Sequence, residues 1–197
     1  MFNWLRNPIS GVFRYSKAEE YSRRYAVMNA FDGVITILGI ILGSALLGGA
    51  DPKHIVAAGI GALIAMGISG ASGTYMAESA EQERKIKEIE EAMLVKLEGS
   101  VIVEARRKAA VISALVDAGA AVIAGLIVLL PYLAAAVHLI DSWLAFYASL
   151  TSALSLLFVL GVFLGKVAKK NILISGVKAL AIGLATLLMI TLLNLVL

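Results

Sequence analysis

The sequence predicts an all-α integral membrane protein: five transmembrane helices, with a cytoplasmic amphipathic helical segment between the second and third. Three observations lead there. Of the 197 residues 60% are hydrophobic and 16% charged, against roughly 45–50% and about 25% in soluble domains. Five apolar stretches are each long enough to cover the ~30 Å hydrocarbon layer, which takes roughly 20 helical residues. Basic residues are concentrated in alternate connections, as the positive-inside rule expects of a multi-pass chain.

The first 24 residues hold Phe2, Trp4, Leu5, Ile9, Val12 and Phe13 among Arg6, Arg14 and Lys17. No apolar core or small-residue cleavage site of a signal peptide is present there. The expectation is a cytoplasmic segment lying at the membrane interface. Residues 25–197 form the membrane domain. Its first span is Tyr25–Leu47, YAVMNAFDGVITILGIILGSALL, ended by a turn at Gly48, Gly49 and Asp51-Pro52. The second runs from Ile55 to Met76, the third from Ala109 to Leu130, closed by Pro131. The fourth covers Ser142–Gly165 and the fifth Ile172–Val196. Residues 78–108 form the Glu-rich insert, with a break expected at Gly99-Ser100.

Fifteen of the 17 basic residues fall in the N-terminal segment, the insert and the turn holding Lys166, Lys169 and Lys170. With five alternating spans these all lie on one side. The N-terminus is therefore expected in the cytoplasm and the C-terminus opposite. Topology explains the net charge of +3, and nucleic acid is not expected as a partner. No cysteine is present, which excludes disulfides, thiolate metal sites and a cysteine nucleophile. Nucleotide loops, catalytic triads and zinc signatures are missing too, so the chain is expected not to be an enzyme.

One ionisable residue stands inside the first span. Asp32 costs at least ~2.5 kcal/mol to insert, and its own helix carries no cation to neutralise it. This marks Asp32 as part of an ion pathway. Met28, Asn29 and Thr36 fall on neighbouring turns of the same helix, and Met76 offers a second thioether. Carboxylate, amide, hydroxyl and thioether donors suit a divalent ion of the iron or manganese type. Counting ~1.5 Å per residue, Asp32, Asp117, Lys178 and the Ser69–Thr74 patch share one level in the cytoplasmic half. Asp117 is read either as a further metal ligand or as the partner of Lys178. Gly39-x-x-x-Gly43 and the glycines of the second span mark close helix packing.

In the insert, Ile86, Ile89, Met93 and Leu97 share one helical face, and Glu78, Glu81, Glu88 and Glu91 the opposite one. The pairs Glu78/Glu81 and Glu88/Glu91, each at i,i+3, are spaced to approach one cation. A solvated helix with ordinary pairing to Arg84, Lys85 and Lys87 fits the same pattern. Apart from transport, a non-transporting metal sensor remains open. A membrane-anchored ferroxidase-like protein fits less well, since no Glu-x-x-His pair is present.

Three motifs in order, FDGVITILGIILG at Phe31–Gly43, SGASGTYMAESAEQE at Ser69–Glu83 and LIVLLPYL at Leu126–Leu133, resemble the vacuolar iron transporter family from Arg23 onward. The resemblance implies a homodimer that exports ferrous iron or manganese from the cytosol in exchange for protons, with no bound cofactor. It places the family's membrane aspartate at Asp32 and its metal-collecting glutamates at Glu78, Glu81, Glu88 and Glu91. The chain departs from the family at Gly70 and Thr74, where a methionine and a glutamate are usual. Its asparagine is displaced to Asn29, and its insert is shorter than the plant metal-binding domain.

Overall fold

The computed structural model describes residues 18–46 and 51–196, and the secondary structure there is helical throughout. The interfacial segment expected at the N-terminus and the Gly48-Gly49 turn lie outside the described residues. Five helices follow one another: α1 Ala18–Leu46, α2 Pro52–Met93, α3 Val101–Ala136, α4 Ser142–Val167 and α5 Ile172–Val196. Each is long and apolar enough to cross a membrane.

The fourth and fifth helices match the spans read from sequence; the first three are longer. Helix α2 corrects the expectation of a separate amphipathic insert. It continues unbroken through the Glu-rich stretch to Met93 and has 42 residues, about 63 Å at 1.5 Å per residue. That is about twice the hydrocarbon thickness. Ala77 to Met93 contains neither glycine nor proline, so nothing stops the helix where the apolar stretch ends. The amphipathic face is only partly covered: Ile86 is 8% exposed but Met93 57%. The chain turns at Leu94–Ser100, where Gly99 has φ +75° and Leu94 φ +53°. Ser100 then accepts the Val103 N–H at 3.3 Å, starting α3 at Val101 rather than Ala109.

Pro131 does not close the third span. Helix α3 passes through it to Ala136. Proline lacks the N–H that would bond the Ile127 carbonyl, yet Val128, Leu129 and Tyr132 around it are 0%, 0% and 3% exposed. Packing of these side chains holds the helix through the missing bond, a tolerance common in membrane helices. Pro52 sits at the first position of α2, where no N–H is required; Asp51 accepts the Lys53 N–H at 2.9 Å. Asn171 caps α5, accepting the Leu173 N–H at 3.0 Å.

The chain divides into two compact units, one of the chain through Ala26 with Gly67–Gly119, the other of Val27–Met66 with Ala120–Leu197. In the second, Val34, Ile37, Leu38 and Ile41 of α1 are all 0% exposed and pack with Val128 and Leu129 of α3 and Leu157 of α4. Their i, i+3, i+4, i+7 spacing defines one helix face. Lipid is as apolar as these side chains, so close backbone approach and dispersion, not water exclusion, select this packing. The approach is closest at Gly33, where a Cβ atom would lie 2.2 Å from the Ala121 carbonyl oxygen. Opposite it, a Cβ on Gly125 would lie 3.2 Å from the Gly33 carbonyl oxygen. Among the described residues Gly39-x-x-x-Gly43 does not play that role within the protomer: nothing there lies within 4 Å of a Cβ at Gly43, and only Ile190 reaches Gly39, at 3.9 Å.

In the first unit, Ser22 of α1 and Ser113 of α3 share a buried hydrogen bond of 3.2 Å. Ala105 and Ala109 form a small apolar core, and Ile112 packs against it.

Candidate metal-ion site

Helix α1 carries two faces of opposite character. With Val34, Ile37, Leu38 and Ile41 locked in the core, the 3.6-residue period turns Met28, Asp32 and Thr36 the other way. Met28 is 57% exposed, Asp32 is exposed, and Asn29 and Thr36 are half-buried. Asp32 makes no ion pair among the described residues. The protomer thus presents a carboxylate and a thioether, one turn apart, on the outer face of an apolar helix.

Asp117 is placed differently. It is 3% exposed and accepts a hydrogen bond from the Thr74 hydroxyl at 2.5 Å. Gly70, a turn before Thr74, leaves room for it: a Cβ there would lie 3.3 Å from the Asp117 Oδ2. The structure therefore joins α2 and α3 at the glycine- and hydroxyl-rich patch through this aspartate. Ser72 turns its hydroxyl back to the Ile68 carbonyl at 2.7 Å, which satisfies it within its own helix. Met76 is 71% exposed.

The four glutamates do not form one cluster. Glu78 is 5% exposed, which corrects its assignment to a solvated acidic face. Its carboxylate accepts from the Tyr25 hydroxyl at 3.0 Å and from the Gln82 amide at 3.3 Å. Gln82, 2% exposed, accepts in turn from Arg106 Nη1 at 2.9 Å. A cation approaching Glu78 has to displace these partners. Glu81 and Glu88 lie on the exposed side and share Arg84, at 3.0 and 2.8 Å. Lys85 also reaches Glu81, at 3.0 Å. Hydrogen bonds from Arg84 and then Lys85 hold the Glu81 carboxyl down to about 2, so it is ionised across the physiological range. Glu91 is exposed. Among the described residues no three His, Asp or Glu side chains converge to hold a metal ion.

The relay Tyr25–Glu78–Gln82–Arg106 is not readable in one helix's periodicity. Only the Glu78/Gln82 spacing of four hints at it; the Tyr25 and Arg106 links cross between helices. Among the described residues Arg106 Nε is buried without a partner, so the relay ends on a group that can still take an acceptor. Glu78→Gln is expected to lower stability by about 1–3 kcal/mol despite its matched shape. Its new amide N–H2 meets that of Gln82, and a flip of Gln82 withdraws the acceptor from Arg106. Exchanging the pair, Glu78→Gln with Gln82→Glu, is expected to recover most of the loss. The carboxylate moved to position 82 then accepts from the amide at position 78 and faces Arg106. Thermal unfolding in detergent measures both; a double variant no more stable than Glu78→Gln would dissolve the relay into independent contacts.

Comparison with known proteins adds to this geometry. A model described as the VIT family matches residues 23–94 and 87–193. The chain is also similar to an uncharacterized protein of Methanocaldococcus jannaschii, 35% identical over 169 residues, covering 84% of this chain and 85% of the relative.

Proposed function

Because the chain belongs to the VIT family, a family of iron and manganese transporters, we propose that it carries ferrous iron or manganese out of the cytosol in exchange for protons. The observation that carries this reading is Asp32, exposed on the outer face of an apolar helix with Met28 one turn away. Facing lipid, such a carboxylate costs ~2.5 kcal/mol or more. Facing a second copy of the chain, it becomes half of a polar passage. A homodimer packed on this face sets two carboxylates and two thioethers along one path. Two negative charges match a divalent cation, and mixed oxygen and sulfur donors suit iron or manganese better than magnesium or calcium.

Exchange follows from competition. A carboxylate that holds a metal ion releases its proton, and one that takes a proton releases the metal. The exposed glutamates Glu81, Glu88 and Glu91 gather cations on the cytoplasmic extension of α2, where arriving metal competes with Arg84 for Glu81 and Glu88. The N-terminus is cytoplasmic and the C-terminus lies across the membrane, as the basic residues indicate.

Purified protein in sealed liposomes tests this. An acidic lumen is expected to speed Mn²⁺ entry severalfold while the lumen turns alkaline. Metal entry that ignores the gradient would remove proton coupling. Metal bound at the surface with no entry would leave only a sensor.

A further inference from the structure

Helices α2 and α3 enclose a groove of 380 Å³ where their apolar stretches end. Tyr75 and Val111 line it toward the spans and are 48% and 45% exposed. The same helix faces continue below them into the membrane, through Ile68 and Leu115, each 66% exposed. One to two turns the other way the lining becomes polar, with Ser79 and Gln82 on α2 and Arg107 and Lys108 on α3. Arg107 makes no ion pair among the described residues, and Lys108 reaches Glu104 at 3.4 Å between two exposed side chains. Against these two cations the groove sets one carboxylate, Glu83.

A recess that is apolar toward the bilayer and net positive at its surface complements an amphiphile with an anionic head. From this juxtaposition we infer that the groove holds an acidic phospholipid. Its phosphodiester pairs with Arg107 and Lys108, and an acyl chain runs along Tyr75, Val111 and Leu115. The inference stands apart from the transport reading: a lipid bound here fixes α2 against α3 whether or not metal moves.

The test uses the full-length protein in neutral detergent, titrated with phosphatidylglycerol or phosphatidylcholine while its unfolding temperature is followed. Phosphatidylglycerol is expected to raise that temperature and phosphatidylcholine to leave it unchanged. Arg107→Gln with Lys108→Gln should weaken the effect about thirtyfold, each of the two cations near a charged surface contributing about 1 kcal/mol. Ser79→Phe, which fills the groove and keeps its charges, should weaken it as much. Lys166→Gln with Lys170→Gln, an equal charge change in another turn, should leave it intact. Native mass spectrometry of the unaltered protein should retain phosphatidylglycerol in preference to phosphatidylcholine. The inference is overturned by equal protection from inorganic phosphate, by equal retention of the two lipids, or by an undiminished response in either groove variant.

Discussion

Asp32→Asn is expected to abolish metal flux in proteoliposomes while leaving the protein folded. The initial rate of Mn²⁺ entry should fall by about a hundredfold or more, since losing even an outer partner of a metal ligand costs 10–100-fold. Asparagine keeps the shape and an acceptor oxygen but not the charge that stabilises a dehydrated dication in a medium of low dielectric. It also cannot release a proton when metal arrives, so the exchange loses its basis. Stability should move the other way. Among the described residues Asp32 makes no ion pair, and an uncharged amide is cheaper to hold at membrane depth. A variant that elutes as the parent does, unfolds no earlier and no longer moves Mn²⁺ separates function from folding. Undiminished flux would remove Asp32 from the pathway.

Asp117 provides the contrast. It is buried and receives the Thr74 hydroxyl, so its carboxylate also joins two helices. Two aspartates that look alike in the sequence, each a lone carboxylate in an apolar run, thus differ in kind: one is presented outward, the other holds α2 to α3. Depth along a span is readable from residue counts. The direction in which a side chain points depends on which neighbouring helix claims the opposite face, and the sequence of one helix does not contain that.

The same distinction explains what was legible in the fold. Five apolar runs of membrane length sufficed to count the helices, because in lipid each run has to satisfy its own backbone hydrogen bonds. The helix ends were misplaced wherever composition changed without a helix breaker. Ala77 to Met93 becomes polar and stays helical, and Pro131 interrupts one hydrogen bond and not the helix. Helix α2 stops only after Met93, where Leu94 has φ +53°, and Gly99, with φ +75°, lies in the turn before α3. Among the glutamates, i,i+3 spacing placed Glu78 beside Glu81, yet about 60° around the helix separates a residue held by Tyr25 from one held by Arg84. Small-residue patterns misled in the same way: Gly39-x-x-x-Gly43 has the familiar spacing, but the close approach falls at Gly33 and Gly125.

That approach carries the second large effect. Gly33→Ala is expected to prevent recovery of folded protein, or to lower its unfolding temperature more than any other glycine-to-alanine change in α1. The added Cβ would stand 2.2 Å from the Ala121 carbonyl oxygen and 3.0 Å from its carbon. Both are backbone atoms of another helix, so no rotamer change relieves the contact, and α1 and α3 have to part. Overpacking in a well-packed interior costs typically 1–3 kcal/mol when side chains can adjust; here they cannot, and the cost should exceed that range. Gly125→Ala should be milder, since its nearest obstacle is the end of the Leu63 side chain at 2.3 Å. Gly43→Ala meets nothing within 4 Å among the described residues and should stabilise the helix by up to about 1 kcal/mol, the propensity difference between the two residues. Ranking the three by thermal unfolding in one detergent tests packing apart from propensity: Gly33→Ala matching Gly43→Ala would mean the helices do not meet here. Gly33 also follows Asp32 directly, so the contact that fixes α1 on α3 fixes the angle at which the carboxylate is presented. An alanine tolerated at position 33 in a folded protein should therefore still reduce flux, by turning Asp32 on its axis while its charge remains.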